Sequence, residues 1–242
     1  YLGVDQIRFS GISDKFEIDD SNPFFEIDRN KCILCGRCTR TCQEITCVNA
    51  IDMINRGYDM KVAAFNDANI FESVCQSCGE CAAHCPTGAL SHKYTAVPLR
   101  EVVTTCPYCG VGCSMILGTR GNKIVSVRGN PDGPANNGQL CVKGRYGIID
   151  FVHSEERLKK PLIRKNGVLI ESGWDEAIDL IASKLSEYKQ DEMAVIPSSR
   201  TTNEDCYVAQ KFGRAVLGTN NIDNCARVCH APTVAGLAIS FG

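Results

Sequence analysis

The apolar and polar positions of the chain follow two different periods. Up to about residue 97, extended apolar segments precede cysteine loops that lead into short helices, as in FFEIDRNKCILCGRCTRTC and NIFESVCQSCGECAAHCPTGAL. Further on, the alternating runs SMILGT and KIVSVRG flank an Arg120-Gly121-Asn122 turn, which predicts a β-hairpin. A second hairpin is predicted between PLIRK and VLIES, because the intervening Asn166-Gly167 suits a tight hairpin turn.

From Trp174 the apolar positions change to a helical period, and Ser172 is the expected N-cap. The apolar face of this helix comprises Ala177, Ile178, Ile181, Leu185 and Tyr188. A short strand is predicted from Met193 to Ile196, followed by the polar loop SSRTTNED and a second helix. The apolar residues of the second helix are Tyr207, Val208, Phe212, Ala215 and Val216. This order predicts the start of an α/β domain, which needs more chain to cover both faces of a parallel sheet.

The composition argues against several classes of function. Lys and Arg number 26 against 28 Asp and Glu, without a run of like charge, so we do not expect nucleic-acid binding. No stretch approaches the roughly 18 uninterrupted apolar residues of a membrane helix, and the start YLGVDQIRFS does not resemble a secretory signal. The sixteen cysteines include tight runs that favour metal binding over disulfides, which implies a reducing compartment. We therefore expect a soluble, cytoplasmic protein.

One cysteine motif occurs twice. The first set is Cys32, Cys35, Cys38 and Cys42. The second set, 43 positions later, is Cys75, Cys78, Cys81 and Cys85. The spacing is typical of bacterial ferredoxins, in which three thiolates bind one [4Fe-4S] cluster and the fourth binds the other cluster. This rule places Cys85 with the first three cysteines of the first set, and Cys42 with the first three of the second set.

Zinc is the alternative occupant of these sets. Structural zinc sites use separated pairs of cysteines, and three in a row with a fourth close behind would crowd a single tetrahedral ion. Pro86 follows Cys85 as the ferredoxin pattern expects, whereas Gln43 follows Cys42. The sequence therefore favours two clusters, with one small departure from the pattern.

A third set of cysteines comprises Cys106, Cys109, Cys113 and Cys141. Its spacing alone leaves a zinc site open beside a third [4Fe-4S] cluster. Two features favour the cluster, namely Lys143, which lies two residues after the last cysteine, and the distant Cys229-His230 pair.

Four segments together resemble the N-terminal part of the catalytic subunit of molybdenum or tungsten formate dehydrogenases. These segments are CPYCGVGC, LCVKGR, SSRTTNED and NNIDNCARVCHAPTVAGL. The preceding two-cluster unit is similar to an extension found in NAD-linked or hydrogenase-linked members, and to part of the large iron-sulfur subunit of respiratory complex I. The resemblance covers essentially the whole chain.

The resemblance implies roles for individual residues. It implies that Cys229 ligates the metal, that His230 is catalytic, and that Lys143 lies between a cluster and a pterin. It also implies two pterin guanine dinucleotides on molybdenum or tungsten, further clusters upstream of Tyr1, and a longer C-terminal portion with an Arg that binds the formate carboxylate. We therefore expect residues 1–242 alone not to oxidise formate.

Several other residues have ordinary alternatives. Cys229 could be a buried structural cysteine, and Lys143 a solvated charge. Arg200 precedes a predicted helix N-terminus, where unpaired N–H groups suit a phosphate of the pterin dinucleotide, and the alternative is a simple helix cap. Cys47, Cys206 and Cys225 have no partners at ligand spacing, so we interpret them as structural. We assign no role to His84, His92 and His153.

The predicted fold class is α+β in four parts. Residues 1–22 continue from an upstream region, and 23–98 form a two-[4Fe-4S] ferredoxin-like domain. Residues 99–160 form a β-rich [4Fe-4S] domain, and 161–242 begin an α/β pterin-binding domain. Together they predict part of a formate dehydrogenase or carbon dioxide reductase that passes electrons to an iron-sulfur or flavin subunit. The rivals are a non-catalytic electron wire like that of complex I and another molybdopterin oxidoreductase.

Each set of four cysteines is expected to bind one [4Fe-4S] cluster, which contains four iron atoms. The three sets therefore predict about twelve iron atoms per chain. Anaerobic iron and sulfide analysis of the purified protein checks this number. Stoichiometric zinc with about eight iron atoms would show that the third set holds zinc instead.

Overall fold

The computed structural model describes residues 5–6 and 15–242, which combine short strands with helices. The strands are Phe25–Ile27 (β1), Asp52–Ile54 (β2), Lys61–Ala63 (β3), Leu90–His92 (β4), Arg100–Thr105 (β5), Ser114–Arg120 (β6), Lys123–Gly129 (β7), Leu162–Lys165 (β8) and Val168–Glu171 (β9). The helices are Arg37–Arg40 (α1), Glu80–Ala83 (α2), Ile148–His153 (α3), Trp174–Leu185 (α4), Asn203–Ala215 (α5), Ala226–Cys229 (α6) and Ala231–Phe241 (α7). Two further turns, Thr41–Ile45 and Lys143–Gly147, are π-helical.

The two halves of the cysteine repeat are joined by a small antiparallel ladder. Strand β1 precedes the first cysteine loop and pairs with β4, which follows the second loop, so that Phe25 lies opposite His92. Phe25 is fully buried at the centre of a core that also includes Ile51, Val62 and Leu90. Both cysteine loops therefore lie against one apolar core.

The prediction of an extended segment before the second cysteine loop is wrong in part. Ile70–Glu72 forms a turn of 3-10 helix instead of a strand. The Ile70 N–H donates to the Asp19 carboxylate at 2.8 Å, and the Phe71 N–H donates to the Ser21 hydroxyl at 3.2 Å. Because side chains about fifty residues away satisfy these donors, the segment has no need of a strand partner.

A three-stranded antiparallel meander follows, in the order β5-β6-β7. Its β6-β7 hairpin confirms the prediction from the alternating runs. One face packs on a core of buried residues that joins the meander to helix α3, namely Cys106, Met115, Val127, Leu140 and Ile148. The third cysteine set thus begins inside the core of this region.

The C-terminal region contains the predicted β8-β9 hairpin. Asn166 and Gly167 both have positive φ angles, of 52° and 83°, as a tight hairpin turn of this kind requires. Helices α4 and α5 are present where the helical periods predicted them. The mixed α and β content agrees with the expected fold class, and the domain boundaries stay predictions.

Two local predictions in this region are wrong. Gly173, not Ser172, is the N-cap of α4, because the Ser172 hydroxyl donates to the Glu176 carboxylate at 2.5 Å instead of accepting from the helix. The strand predicted from Met193 to Ile196 is reduced to a single parallel bridge between Val195 and Ile222. One bridge supplies too few backbone hydrogen bonds to form a ladder.

Helices α4 and α5 leave an apolar groove open. Ile178, Ile181 and Phe212 line it, and all three side chains are exposed. Within the part of the chain that the structure describes, no helix has the length and apolar character to cross a membrane.

A glycine at the contact between the first two regions should be sensitive to substitution. Gly79 has a φ of +75°, and a Cβ there would overlap the Tyr146 hydroxyl and lie 2.8 Å from Tyr146 Cζ. Gly57 has a similar φ of +66° with nothing within 4 Å. Gly57→Ala should therefore cost only the left-handed backbone penalty of about 1–2 kcal/mol, and Gly79→Ala clearly more. Thermal denaturation of the cluster-loaded protein compares them, and equal shifts in Tm would contradict the contact.

Candidate functional site

The structure gathers the eight repeated cysteines around two pockets. The first thiol pocket is lined by Cys32, Cys35, Cys38 and Cys85. The second thiol pocket is lined by Cys42, Cys75, Cys78 and Cys81. Each pocket takes three cysteines from one half of the repeat and one from the other half, which is the crossed grouping expected from the ferredoxin spacing.

Matching backbone turns hold the thiols of both halves. The Leu34 N–H donates to Cys32 Sγ at 3.4 Å, and the Ser77 N–H donates to Cys75 Sγ at 3.3 Å. Leu34 and Ser77 occupy the same place in the repeat, and each has a φ of 55°. This left-handed conformation is unfavourable for residues other than glycine. In both turns it accompanies a hydrogen bond to sulfur, which offsets part of its cost.

The fourth thiol of each pocket also accepts backbone hydrogen bonds. The Leu90 N–H donates to Cys85 Sγ at 3.4 Å, and the Ala50 N–H donates to Cys42 Sγ at 3.2 Å. Burial acts to raise the pKa of Cys85, but hydrogen bonds from Leu90 and Thr87 outweigh it and leave that pKa lowered. Such bonds stabilise the thiolate form, which is the form that binds metal.

Two more deeply buried thiols, Cys38 and Cys81, have raised pKa values. Burial, reinforced by the neighbouring sulfurs, raises the pKa of Cys38 to about 11 and the pKa of Cys81 well above its usual range. Four thiolates cannot share an apolar pocket unless a positive group compensates them. The donor set therefore fits an iron-sulfur cluster. Among residues 5–6 and 15–242, no three His, Cys, Asp or Glu side chains converge closely enough to hold a single metal ion.

The third cysteine set is also brought together. Burial raises the pKa of Cys106 and of Cys113, and the charges of Cys109 and Cys141 raise both further, so all four thiols lie near one another. The Cys106 N–H donates to the Cys113 carbonyl at 2.8 Å, which closes the loop between them. We call these four residues the third thiol set.

The turn after Cys141 carries Lys143 and passes over the third thiol set. A Cβ on Gly144 would lie 3.5 Å from Cys106 Sγ, so the backbone of this turn approaches the sulfur closely. Lys143 itself is exposed. Lys143 thus belongs to the turn that approaches the third thiol set, and its role between a cluster and a second cofactor stays a prediction.

The third thiol set abuts the polar loop that contains Arg200. A Cβ on Gly110 would lie 3.3 Å from the Thr201 carbonyl oxygen and 3.4 Å from Asn203 Oδ1. Arg200 is exposed in this loop. A phosphate contact by Arg200 stays a prediction.

The simple helix cap, the alternative for this loop, is present. The Asp205 N–H donates to the Thr202 hydroxyl and the Thr202 N–H donates to the Asp205 carboxylate, both at 3.3 Å. This reciprocal pair satisfies two donors at the start of α5. A phosphate would therefore have to use other donors of the loop.

Cys229 and His230 lie where α6 meets α7, and both residues are exposed. Helix α6 is tied to the polar loop through Cys225. The Ser199 N–H donates to Cys225 Sγ at 3.1 Å, and the Cys225 thiol is 3.2 Å from the Ser199 hydroxyl. Hydrogen bonds from Ser199 lower the pKa of Cys225. Cys229 thus follows one helical turn after a residue fixed to the loop beside the third thiol set.

Three family models match consecutive parts of the chain. Residues 22–91 match the ferredoxin-like domain of NADH-quinone oxidoreductase subunit 3. Residues 99–154 match the molybdopterin oxidoreductase Fe4S4 domain, and 157–240 match the molybdopterin oxidoreductase model. The chain belongs to the molybdopterin oxidoreductase family. The resemblance drawn from the sequence is thereby confirmed for the molybdopterin oxidoreductase domains and the ferredoxin-like domain, and formate as the substrate stays a prediction.

Curated relatives of this molybdopterin oxidoreductase are much longer than the chain. "Probable oxidoreductase YjgC" of Bacillus subtilis is 38% identical over 271 aligned positions, covering 93% of the chain and 27% of the relative. "Putative formate dehydrogenase SAB2186c" of Staphylococcus aureus is 36% identical over 270 positions, covering 92% and 27%. A crystal structure of NAD+-reducing [NiFe]-hydrogenase in the H2-reduced state is 29% identical over 36% of the chain and 37% of that protein, with a TM-score of 0.33.

The matched domains indicate iron-sulfur clusters and a molybdopterin cofactor in this molybdopterin oxidoreductase. The three groups of four thiols suit the clusters. Cys229 is exposed and lies one helical turn after Cys225, which is hydrogen-bonded to the loop beside the third thiol set. Ligation of the metal of the second cofactor by Cys229 stays a prediction.

Sequence reasoning missed a buried ion pair between Glu80 and Arg145 in this molybdopterin oxidoreductase. The two side chains are only 2% and 3% exposed. They lie 65 positions apart, and no periodic pattern connects them. Besides Cys225 and Cys229, the cysteines outside the three groups are Cys47, which is exposed, and Cys206, whose sulfur lies 3.3 Å from the Thr201 hydroxyl.

The first thiol pocket yields a direct test of the crossed grouping. Cys85→Ser should remove or degrade the cluster held with Cys32, Cys35 and Cys38, and leave the cluster nearer in sequence intact. Iron analysis with EPR spectroscopy of the reduced protein measures this loss. Cys47→Ser is the matched control and should retain all iron. Loss of the Cys75–Cys81 cluster in Cys85→Ser would contradict the grouping.

Proposed function

We propose that the chain forms the electron-transfer region and part of the catalytic region of a formate dehydrogenase. The reaction converts formate to carbon dioxide, one proton and two electrons, or runs in reverse. The observation that carries the proposal is the exposed Cys229-His230 pair, which follows one helical turn after Cys225, the residue hydrogen-bonded to the loop beside the third thiol set. Support also comes from relatives at 36–38% identity, one of which bears the name of a formate dehydrogenase.

Twelve cysteines would hold three [4Fe-4S] clusters, two in the thiol pockets and one at the third thiol set. Each cluster accepts one electron at a time, so a row of three suits a reaction that releases two electrons together. The protein sets their potentials through burial and N–H···S hydrogen bonds, which Leu34, Ser77, Ala50 and Leu90 supply here.

The residues around Cys229 would serve the second cofactor, a molybdenum or tungsten ion with two pterin guanine dinucleotides. Cys229 would hold the metal through its thiolate, since soft sulfur donors suit such an ion. When bound, the cofactor supplies the redox chemistry at the carbon of formate. His230 would exchange the proton, because an imidazole has one nitrogen that can accept a proton and one that can donate it. Lys143 would place a positive charge between cluster and pterin, and Arg200 would bind a phosphate.

A second candidate is a non-catalytic electron wire, which the match of residues 22–91 to an NADH-quinone oxidoreductase subunit favours. A wire has no need of an exposed cysteine next to a histidine, nor of Lys143. These three residues therefore favour catalysis. Another substrate of the molybdopterin oxidoreductase family is the remaining rival, against which the CHAP sequence at 229–232 argues by resemblance.

The proposed electron acceptor is an iron-sulfur or flavin subunit, linked to NAD or to a hydrogenase. This follows from the two-cluster region at residues 23–98, which would extend the electron path away from the cofactor. We propose a cytoplasmic location, because the sulfurs must stay reduced before the clusters assemble.

Cys229→Ser in the full-length enzyme tests the proposal. Turnover of formate should fall by at least about a hundredfold, the size expected when a group that acts in the transition state is lost. All three clusters should remain reducible by dithionite. Cys206→Ser is the matched control and should keep near-normal turnover.

His230→Ala should lower turnover while molybdenum or tungsten stays bound, as metal analysis would show. Near-normal formate oxidation by Cys229→Ser would make the electron wire the better interpretation.

A further inference from the structure

The buried ion pair of Glu80 and Arg145 lies between the second thiol pocket and the third thiol set. Glu80 sits on α2, between Cys78 and Cys81 in sequence and on the wall of the second thiol pocket. Arg145 lies in the π-helical turn four residues after Cys141. The pair therefore joins two parts of the chain that each carry cluster cysteines.

Each partner makes a further hydrogen bond to the opposite side. The Leu140 N–H, next to Cys141, donates to the Glu80 carboxylate at 2.7 Å. The Arg145 Nε–H donates to the carbonyl of Cys78 at 2.9 Å. A buried ion pair is stable only when such bonds satisfy its remaining donors and acceptors. The first bond thus ends beside Cys141 of the third thiol set, and the second ends on Cys78 of the second thiol pocket.

Tyr146 adds two further contacts between the π-helical turn and the ferredoxin-like region. Its ring stacks on Phe24 at 4.6 Å between centroids, and its hydroxyl is 2.7 Å from Nδ1 of His92. Burial, and then the charge of Arg145, lower the pKa of His92 to about 4, so its ring is neutral at pH 7. The hydrogen bond to Tyr146 therefore does not change near neutral pH.

The charges of the pair act on the second thiol pocket. Glu80 lines this pocket, and the Arg145 guanidinium is hydrogen-bonded to the carbonyl of Cys78 on the pocket wall. A cluster in this pocket gains one negative charge when it is reduced. A nearby cation favours that reduced form and a nearby anion disfavours it, most strongly where water is excluded.

We propose that Glu80 and Arg145 are positioning residues that hold the second thiol pocket against the third thiol set and set the reduction potential of the cluster in that pocket. The inference rests on the proposed binding of clusters by the twelve cysteines. The electron received there originates from formate, and the pair itself neither gains nor loses electrons or protons. Because the two charges have opposite signs, removing the charge of Arg145 and removing the charge of Glu80 should move the reduction potential in opposite directions.

Redox titration of the cluster-loaded, full-length protein, followed by EPR, tests this. Arg145→Met should lower the midpoint potential of the second-pocket cluster, and Glu80→Gln should raise it. Each variant should change the equilibrium constant for one-electron reduction of this cluster at least tenfold, which corresponds to a shift of about 59 mV in the midpoint potential. The double variant should lie between them. Arg145→Lys keeps the charge and should restore a potential close to that of the unmodified protein.

Two controls separate this effect from general damage. Arg128→Met removes the same charge from an exposed pair with Glu101 and should leave every cluster potential unchanged. The first-pocket cluster should also keep its potential in all variants, and its signal is assigned by its loss in Cys85→Ser.

Potentials that shift in the same direction in Arg145→Met and Glu80→Gln would overturn the proposal, as would an unchanged potential in both. If Arg145→Met does not fold, Glu80→Gln and Arg145→Lys decide by the same criteria. Unmodified protein that binds no clusters would instead refute the proposed function, so the two failures are distinguishable.

Discussion

Burial of sulfur is the constraint on which residues 23–154 depend. Thiolates are costly in an apolar surrounding, yet Cys38 and Cys106 are buried within the two hydrophobic cores. Backbone N–H groups offset part of this cost at neighbouring sulfurs such as Cys32 and Cys75, and placing them there needs tight turns instead of long elements. Helices α1 and α2 are accordingly one turn each, and Gly36 and Gly79 open them with positive φ angles. The pKa values of Cys38 and Cys106 stay raised, so these thiols still need a bound positive group.

The π-helical turn at Lys143–Gly147 distributes successive side chains in different directions. Lys143 is exposed, Gly144 approaches Cys106 Sγ, and Arg145 and Tyr146 are buried against the ferredoxin-like region. A π-helical turn changes the angular spacing of residues, and such turns are frequent at functional sites. One five-residue segment thus contacts the third thiol set and the second thiol pocket while leaving a cation accessible.

Features that a turn motif or a repeat encodes were predictable from the sequence, and those set by the particular partner of one side chain were not. The β8-β9 hairpin follows from alternation and Asn166-Gly167, and the grouping of cysteines follows from the 43-residue repeat. By contrast, the Ile70–Glu72 turn depends on Asp19, and the Glu80–Arg145 pair joins residues 65 positions apart. The N-cap at Gly173 was missed because the Ser172 hydroxyl has a competing acceptor within the same helix.

A continuous series of contacts connects the third thiol set to Cys229. The Cys109-Gly110 turn meets Thr201 and Asn203, the same loop binds Cys225 through Ser199, and Cys229 follows one helical turn later. Each step is a backbone or short side-chain contact, so the connection does not depend on long side chains. If Cys229 holds the metal as proposed, these contacts set the path between that metal and the third thiol set. Cys225, which the sequence pattern left without a partner, is therefore the residue that connects the loop to the turn carrying Cys229.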